Sequence, residues 1–175
     1  ITRIVNLTTL EVRAGPKVAQ AGGACAALAL PVGREGEERV QVCAIGGTDG
    51  NHNNGTFLDS MRCFSRASRS WHEPVERMPM AMDHANAVLI PAGTCARDDP
   101  SRVLLLDFRT AHYSNQRTEV LAIDLPEKNR QSAPAKRPRW YVYSNDTNSL
   151  PRDGAGGVLA SGGGVILSFG GVYYA

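Results

Sequence analysis

The residues best suited to chemistry are four histidines (His52, His72, His84 and His112), four cysteines (Cys25, Cys43, Cys63 and Cys95) and an adjacent acid pair, Asp98-Asp99. A metal centre needs ligands at short, regular spacing, such as two His one turn apart on a helix or alternating along one strand. None of the histidines has that spacing, and no Cys-x-x-Cys pair offers a zinc or redox motif. His84 and His112 could meet only through the fold. Cys25, Cys43 and Cys63 sit in apolar, strand-like runs, which predicts buried free thiols behaving as small hydrophobes. Asp98-Asp99 reads as a solvated loop pair rather than a catalytic dyad. No Gly-x-Ser-x-Gly, P-loop or His-Glu-x-x-His occurs. The runs Gly154-Ala155-Gly156-Gly157 and Gly162-Gly163-Gly164 lead into strands, so they do not cradle phosphate at a helix start. The expectation is no cofactor, no metal and no catalytic residue, with enzymatic activity left open.

Composition narrows the class. Of 175 residues, 42% are hydrophobic, and 18 Gly with 10 Pro point to many turns rather than long helices. A net charge of +2 is too slight to imply nucleic acid or an anionic membrane, and no apolar run is long enough to span a bilayer. Ile1 stands where an initiator Met would, without a charged segment and apolar run after it, so the N-terminus reads as processed, trimmed or incompletely known. Three sequons, Asn6-Leu7-Thr8, Asn54-Gly55-Thr56 and Asn145-Asp146-Thr147, keep secretion open beside a slightly favoured cytoplasmic setting.

The elements that must position these residues repeat. Gly22 to Leu28, Asp83 to Leu89 and Asp153 to Leu159 align as small-residue turns running into apolar strands. Second strands follow at Val40 to Gly47, Val103 to Phe108 and Val165 to Gly171. Two of these end in a diglycine, Gly46-Gly47 and Gly170-Gly171, whereas the middle copy has Asp107-Phe108 there. Third strands are predicted at Ser60 to Phe64 and Glu119 to Ile123, and fourth strands start at Trp71 and Trp140. No stretch carries a helical period.

This order of diglycine, Asp49-Gly50 loop, Phe64, Trp71 and Met78-Pro79 resembles the kelch repeat, and the resemblance covers most of the chain from about Ala14. It implies an all-β fold of kelch-type β-propeller blades, each a four-stranded antiparallel sheet of about 50 residues. Periods here run to roughly 60–70 residues. The excess falls in three charged or Pro-containing insertions, Gly33 to Arg39, Pro91 to Arg102 and Leu125 to Arg139. The last is rich in basic residues and reads as a solvated loop. The chain then divides into a blade end (1–39), a complete blade (about 40–90, with its inner strands), a degenerate blade (about 83–150) and the start of another (151–175). Closure takes at least four blades, so the propeller is incomplete.

The resemblance also places a ligand-binding rim, formed by loops after the diglycine strand and before the innermost strand. By position that rim holds Asp49, His52, Asp83, His84, Arg109, His112, Tyr113, Arg152 and Asp153. The implied function is a non-catalytic interaction scaffold whose partner is another protein or the remaining blades of a larger chain. Two alternatives stand beside it. One is a fragment of a propeller enzyme, such as a sugar-processing enzyme or a galactose oxidase-type copper oxidase, although no Tyr–Cys copper motif is recognisable. The other is a structural subunit of a large assembly.

Overall fold

In a computed structural model, the described residues are 3–18, 25–31, 40–49, 55–65, 68–94, 97, 100–110, 119–125, 138–145, 153–159 and 166–172. They contain strands and turns and no helix, and none of their segments is a helix long and apolar enough to cross a membrane. The fold is all-β with antiparallel sheets, and its described strands close into no barrel or ring.

A two-stranded hairpin comes first, β1 (Arg3–Val5) with β2 (Val12–Ala14). The first four-stranded sheet is a meander of β3 (Ala26–Pro31), β4 (Val40–Ile45), β5 (Met61–Ser65) and β6 (Ser70–His72). A short β7 (Met82–Asp83) precedes the second sheet and pairs with β10 (Arg109–Thr110). That second sheet is the meander of β8 (Asn86–Ile90), β9 (Arg102–Leu106), β11 (Glu119–Asp124) and β12 (Trp140–Asn145). A last hairpin joins β13 (Asp153–Leu159) to β14 (Ile166–Val172).

The two large sheets repeat residue by residue. Val42 pairs with Phe64 and Phe64 with Trp71, just as Val103 pairs with Ile123 and Ile123 with Trp140. Both tryptophans thus occupy the same fourth-strand position, as their sequence alignment predicts. The innermost strands need a correction. Leu28 faces Cys43, and the residue facing the equivalent Leu104 is Val88, so Val88 rather than Leu89 corresponds to Leu28. A slip of one residue exchanges the faces of a strand, which is why the ladder decides this where apolar content does not.

Packing follows from those faces. Cys43, Ile45, Met61 and Cys63 of the first sheet share one buried core with Val103, Leu105, Leu121, Ile123 and Trp140 of the second. Their counterparts on the second sheet, Leu104 and Ala122, lie on its other face with Ile90 and form a separate cluster. The sheets are therefore stacked head to tail, each offering a different face to the shared core. First strands adjoin as well: β3 lies beside β8, and β8 beside β13. That arrangement is compatible with propeller-like blades. On the face of the first sheet turned away from that core, Val42 is 52% exposed.

Cysteine chemistry differs from expectation. Cys43 and Cys63 are not free thiols but a disulfide, linking directly paired residues of β4 and β5, both fully buried. Cys25 is free and exposed. The bond replaces a contact that the second sheet makes with Leu104 and Ala122. Its partners are distant in sequence and meet only once register is set, so spacing alone gave no signal.

Candidate functional site at the diglycine end

The diglycine ends β4 and packs against the segment that enters the second sheet. Gly46 and Gly47 leave β4 with φ of +63° and +88°, a left-handed backbone that glycine adopts without steric cost. A Cβ on Gly46 would sit 2.6 Å from the Met82 carbonyl oxygen, and one on Gly47 would sit 2.9 Å from Cβ of Cys25. The Gly47 amide donates to that Met82 carbonyl at 2.8 Å, so the first sheet is tied by its backbone to the entry of the second. In the second sheet Asp107 takes the corresponding left-handed turn at φ +50°. Asp is among the few side chains that tolerate this region, so the exit survives without glycine. Phe108 beside it is fully buried in the shared core. Gly170-Gly171 behaves differently, because β14 continues through both glycines to Val172.

Four short extended segments lie side by side at this end. Thr48 bridges to Phe57, Leu58 bridges to Met82, and the β7–β10 ladder sets Asp83 against Arg109 and Met82 against Thr110. Meandering strands alternate direction, so the described stretches 48–49, 55–60, 80–84 and 109–110 fall at this end. The strand ends Pro31, Ile90 and Asp124, and the described residues after Ile90, lie at the opposite end.

Asp83 and Arg109 dominate the electrostatics. The Arg109 guanidinium donates to both oxygens of Asp83, Nε to Oδ1 at 2.9 Å and Nη2 to Oδ2 at 2.7 Å. The two side chains are 4% and 0% exposed. Nδ1 of His84 lies 3.1 Å from both Asp83 Oδ2 and Arg109 Nη2, and the guanidinium also sits 5.6 Å over the ring of Phe57. A charge this deep must be paired to persist. Asp83 and Arg109, both expected on the rim, are thus paired with each other. They brace β7 against β10.

Of the remaining candidates, Asp49 is exposed; its carboxylate accepts from the Thr56 amide at 2.7 Å and its own amide donates to the Thr56 carbonyl at 3.1 Å. This pins both ends of the intervening loop. His84 is partly exposed beside the ion pair. His52, His112, Tyr113 and Arg152 lie outside the described residues, and Asp153 is described as the first backbone position of β13. Among the described residues no three His, Cys, Asp or Glu side chains converge as metal ligands. Phe57, whose ring lies under the Arg109 guanidinium, was missed by sequence reasoning, whereas Thr48, in the loop after the diglycine strand where the rim was expected, is fully buried. Phe57 belongs to no repeat motif, and its bridge to Thr48 within the β4–β5 connection brings it in. Comparison with known protein families returns no match, and comparison with curated proteins returns none either.

The signature aromatics are structural. Phe64 and Trp71 are tilted against each other at 5.6 Å, and the Trp71 indole donates to the Pro16 carbonyl at 3.4 Å. Trp140 is buried in the shared core. At the opposite end of the second sheet, Arg102 and the Tyr141 hydroxyl both donate to Asp124. Burial first, and then that hydrogen bond, raise the Tyr141 pKa above its ordinary value.

Proposed function

We propose that this chain is a portion of a kelch-type β-propeller and serves as a non-catalytic binding module, engaging a partner protein through the rim at its diglycine end. The observation that carries the reading is the residue-for-residue repetition of two four-stranded meanders with adjoining first strands. Repetition of this kind gathers the loops of successive sheets at one end. The braced Asp83–Arg109 pair supports the role by giving those loops a rigid base, because pre-organised loops lose less entropy on binding. Of the rim residues expected from the resemblance, Asp49 is exposed and His84 partly so.

The test is recovery of a partner by the intact protein, compared with two variants. Asp49→Lys combined with His84→Ala should abolish recovery, whereas Arg97→Glu, in the connection at the opposite end, should leave it unchanged. Equal recovery by all three, or loss with Arg97→Glu alone, overturns the rim assignment.

A further inference from the structure

We propose that Asn6 is an acceptor for an N-linked oligosaccharide, on a chain that matures in an oxidising, glycosylating compartment. Three observations converge on it. Asn6-Leu7-Thr8 is a sequon lying in the turn that joins β1 to β2, and all three residues are exposed. The turn fixes the acceptor side chain: Oδ1 of Asn6 accepts from the amides of Thr8 at 2.9 Å and Thr9 at 3.2 Å. Backbone bonds from Asn6 N to the Glu11 carbonyl and from Leu10 N to the Asn6 carbonyl close the hairpin around it. No described residue hydrogen-bonds Nδ2, the atom that would carry the sugar. The folded hairpin therefore has room for a glycan.

The compartment is argued from a separate place in the fold. Cys43 and Cys63 are bonded, fully buried and central to the first sheet. Structural disulfides form and persist where the redox poise is oxidising, and eukaryotic N-glycosylation occurs in that same setting. In the surroundings of Asn6, Leu7 is 85% and Leu10 74% exposed. Exposed apolar residues this close together favour association, and a hydrated oligosaccharide beside them would shield them. The other two sequons are less informative: Asn54 lies outside the described residues, and Asn145 is held at the end of β12 opposite Glu119.

The reaction is a group transfer from a lipid diphosphate-linked oligosaccharide. Nδ2 of Asn6 forms a bond to the anomeric carbon, the bond from that carbon to the diphosphate oxygen breaks, one amide proton is released, and the lipid diphosphate departs with the electron pair. No oxidant or reductant is needed for that step.

The experiment expresses the full 175-residue chain behind a secretory leader in a eukaryotic cell. Glycans are then removed by peptide-N-glycosidase in heavy-oxygen water. Trypsin releases the peptide Ile4 to Arg13, in which conversion of Asn6 to labelled Asp reports occupancy by mass. The expected result is a labelled Asn6 in most chains, abolished by Asn6→Gln and by Thr8→Ala but kept by Thr8→Ser, with Cys43 and Cys63 joined under non-reducing digestion. A bare Asn6 in chains with the disulfide formed overturns the site, as a partner covering the hairpin would also produce. A bare Asn6 with both cysteines reduced overturns site and compartment together. Chains retained inside the cell are read in the same way, because transfer precedes export.

Discussion

Replacing Gly46 by alanine tests the link between the two sheets. Two separable costs follow from its geometry. A left-handed alanine at φ +63° costs about 1–2 kcal/mol. Beyond that, its Cβ would lie 2.6 Å from the Met82 carbonyl oxygen, a backbone atom that cannot rotate aside. The carbonyl must retreat and surrender the 2.8 Å bond from the Gly47 amide, a loss of about 1 kcal/mol. The expected destabilisation is about 2–3 kcal/mol, or a fall in Tm of roughly 4–12 °C for a chain of this size. Gly93→Ala is the control. Gly93 has φ +73°, but its added Cβ would meet the Arg97 carbonyl at an ordinary 3.5 Å. It should lose only the conformational term of about 1–2 kcal/mol. Urea unfolding of both variants against the parent measures the difference. Equal losses at Gly46 and Gly93 would refute the claim that close approach, and not backbone conformation alone, demands glycine at the sheet junction.

Asp83→Asn leaves the Arg109 charge buried beside a neutral amide and should cost about 3–5 kcal/mol, read by denaturant titration; a change below about 0.5 kcal/mol would show that the brace is not electrostatic. Cys43→Ala with Cys63→Ala opens a bridge spanning 20 residues in sequence and should lose about 3 kcal/mol on the loop-closure account. Reducing agent should lower the Tm of the parent towards that variant and leave the variant unmoved. Tyr141 ionises above the ordinary value of about 10, so its folded environment favours the protonated hydroxyl. That contribution to stability is present below about pH 10 and is lost as pH rises through the elevated value; ultraviolet difference titration against Tyr141→Phe should show the late-ionising phenol vanish.

Much of the fold was legible because β meanders write local signals. Apolar runs of strand length, turn-forming glycines and two aromatics at matching positions located the strands of both sheets, and Phe64–Trp71 and Ile123–Trp140 fell into register as aligned. What stayed hidden depended on partners distant in sequence. Cys43 and Cys63 look like ordinary core positions until β4 and β5 pair. Asp83 and Arg109 look like polar loop residues until β7 meets β10, when each removes the other from the solvent. Asp107 looked like a lost signature, yet its side chain tolerates the backbone conformation that Gly46 supplies in the first sheet. The innermost strand misaligned by one residue because Val88 and Leu89 are equally apolar, and only their ladder to β9 tells them apart.

The head-to-tail stacking of the sheets bears on how such a chain lengthens over evolution. One face of the first sheet, with Ile45 and Met61, fits the opposite face of the second, with Leu105 and Leu121. A duplicated stretch of coding sequence that adds a whole sheet therefore brings both complementary surfaces with it, and fits between existing neighbours without a new interface having to be selected. A single extra residue inside a strand has no such licence, because it exchanges the two faces at once. The array can accept large changes in whole-sheet steps while resisting the smallest ones, and its length is free to vary where its strands are not.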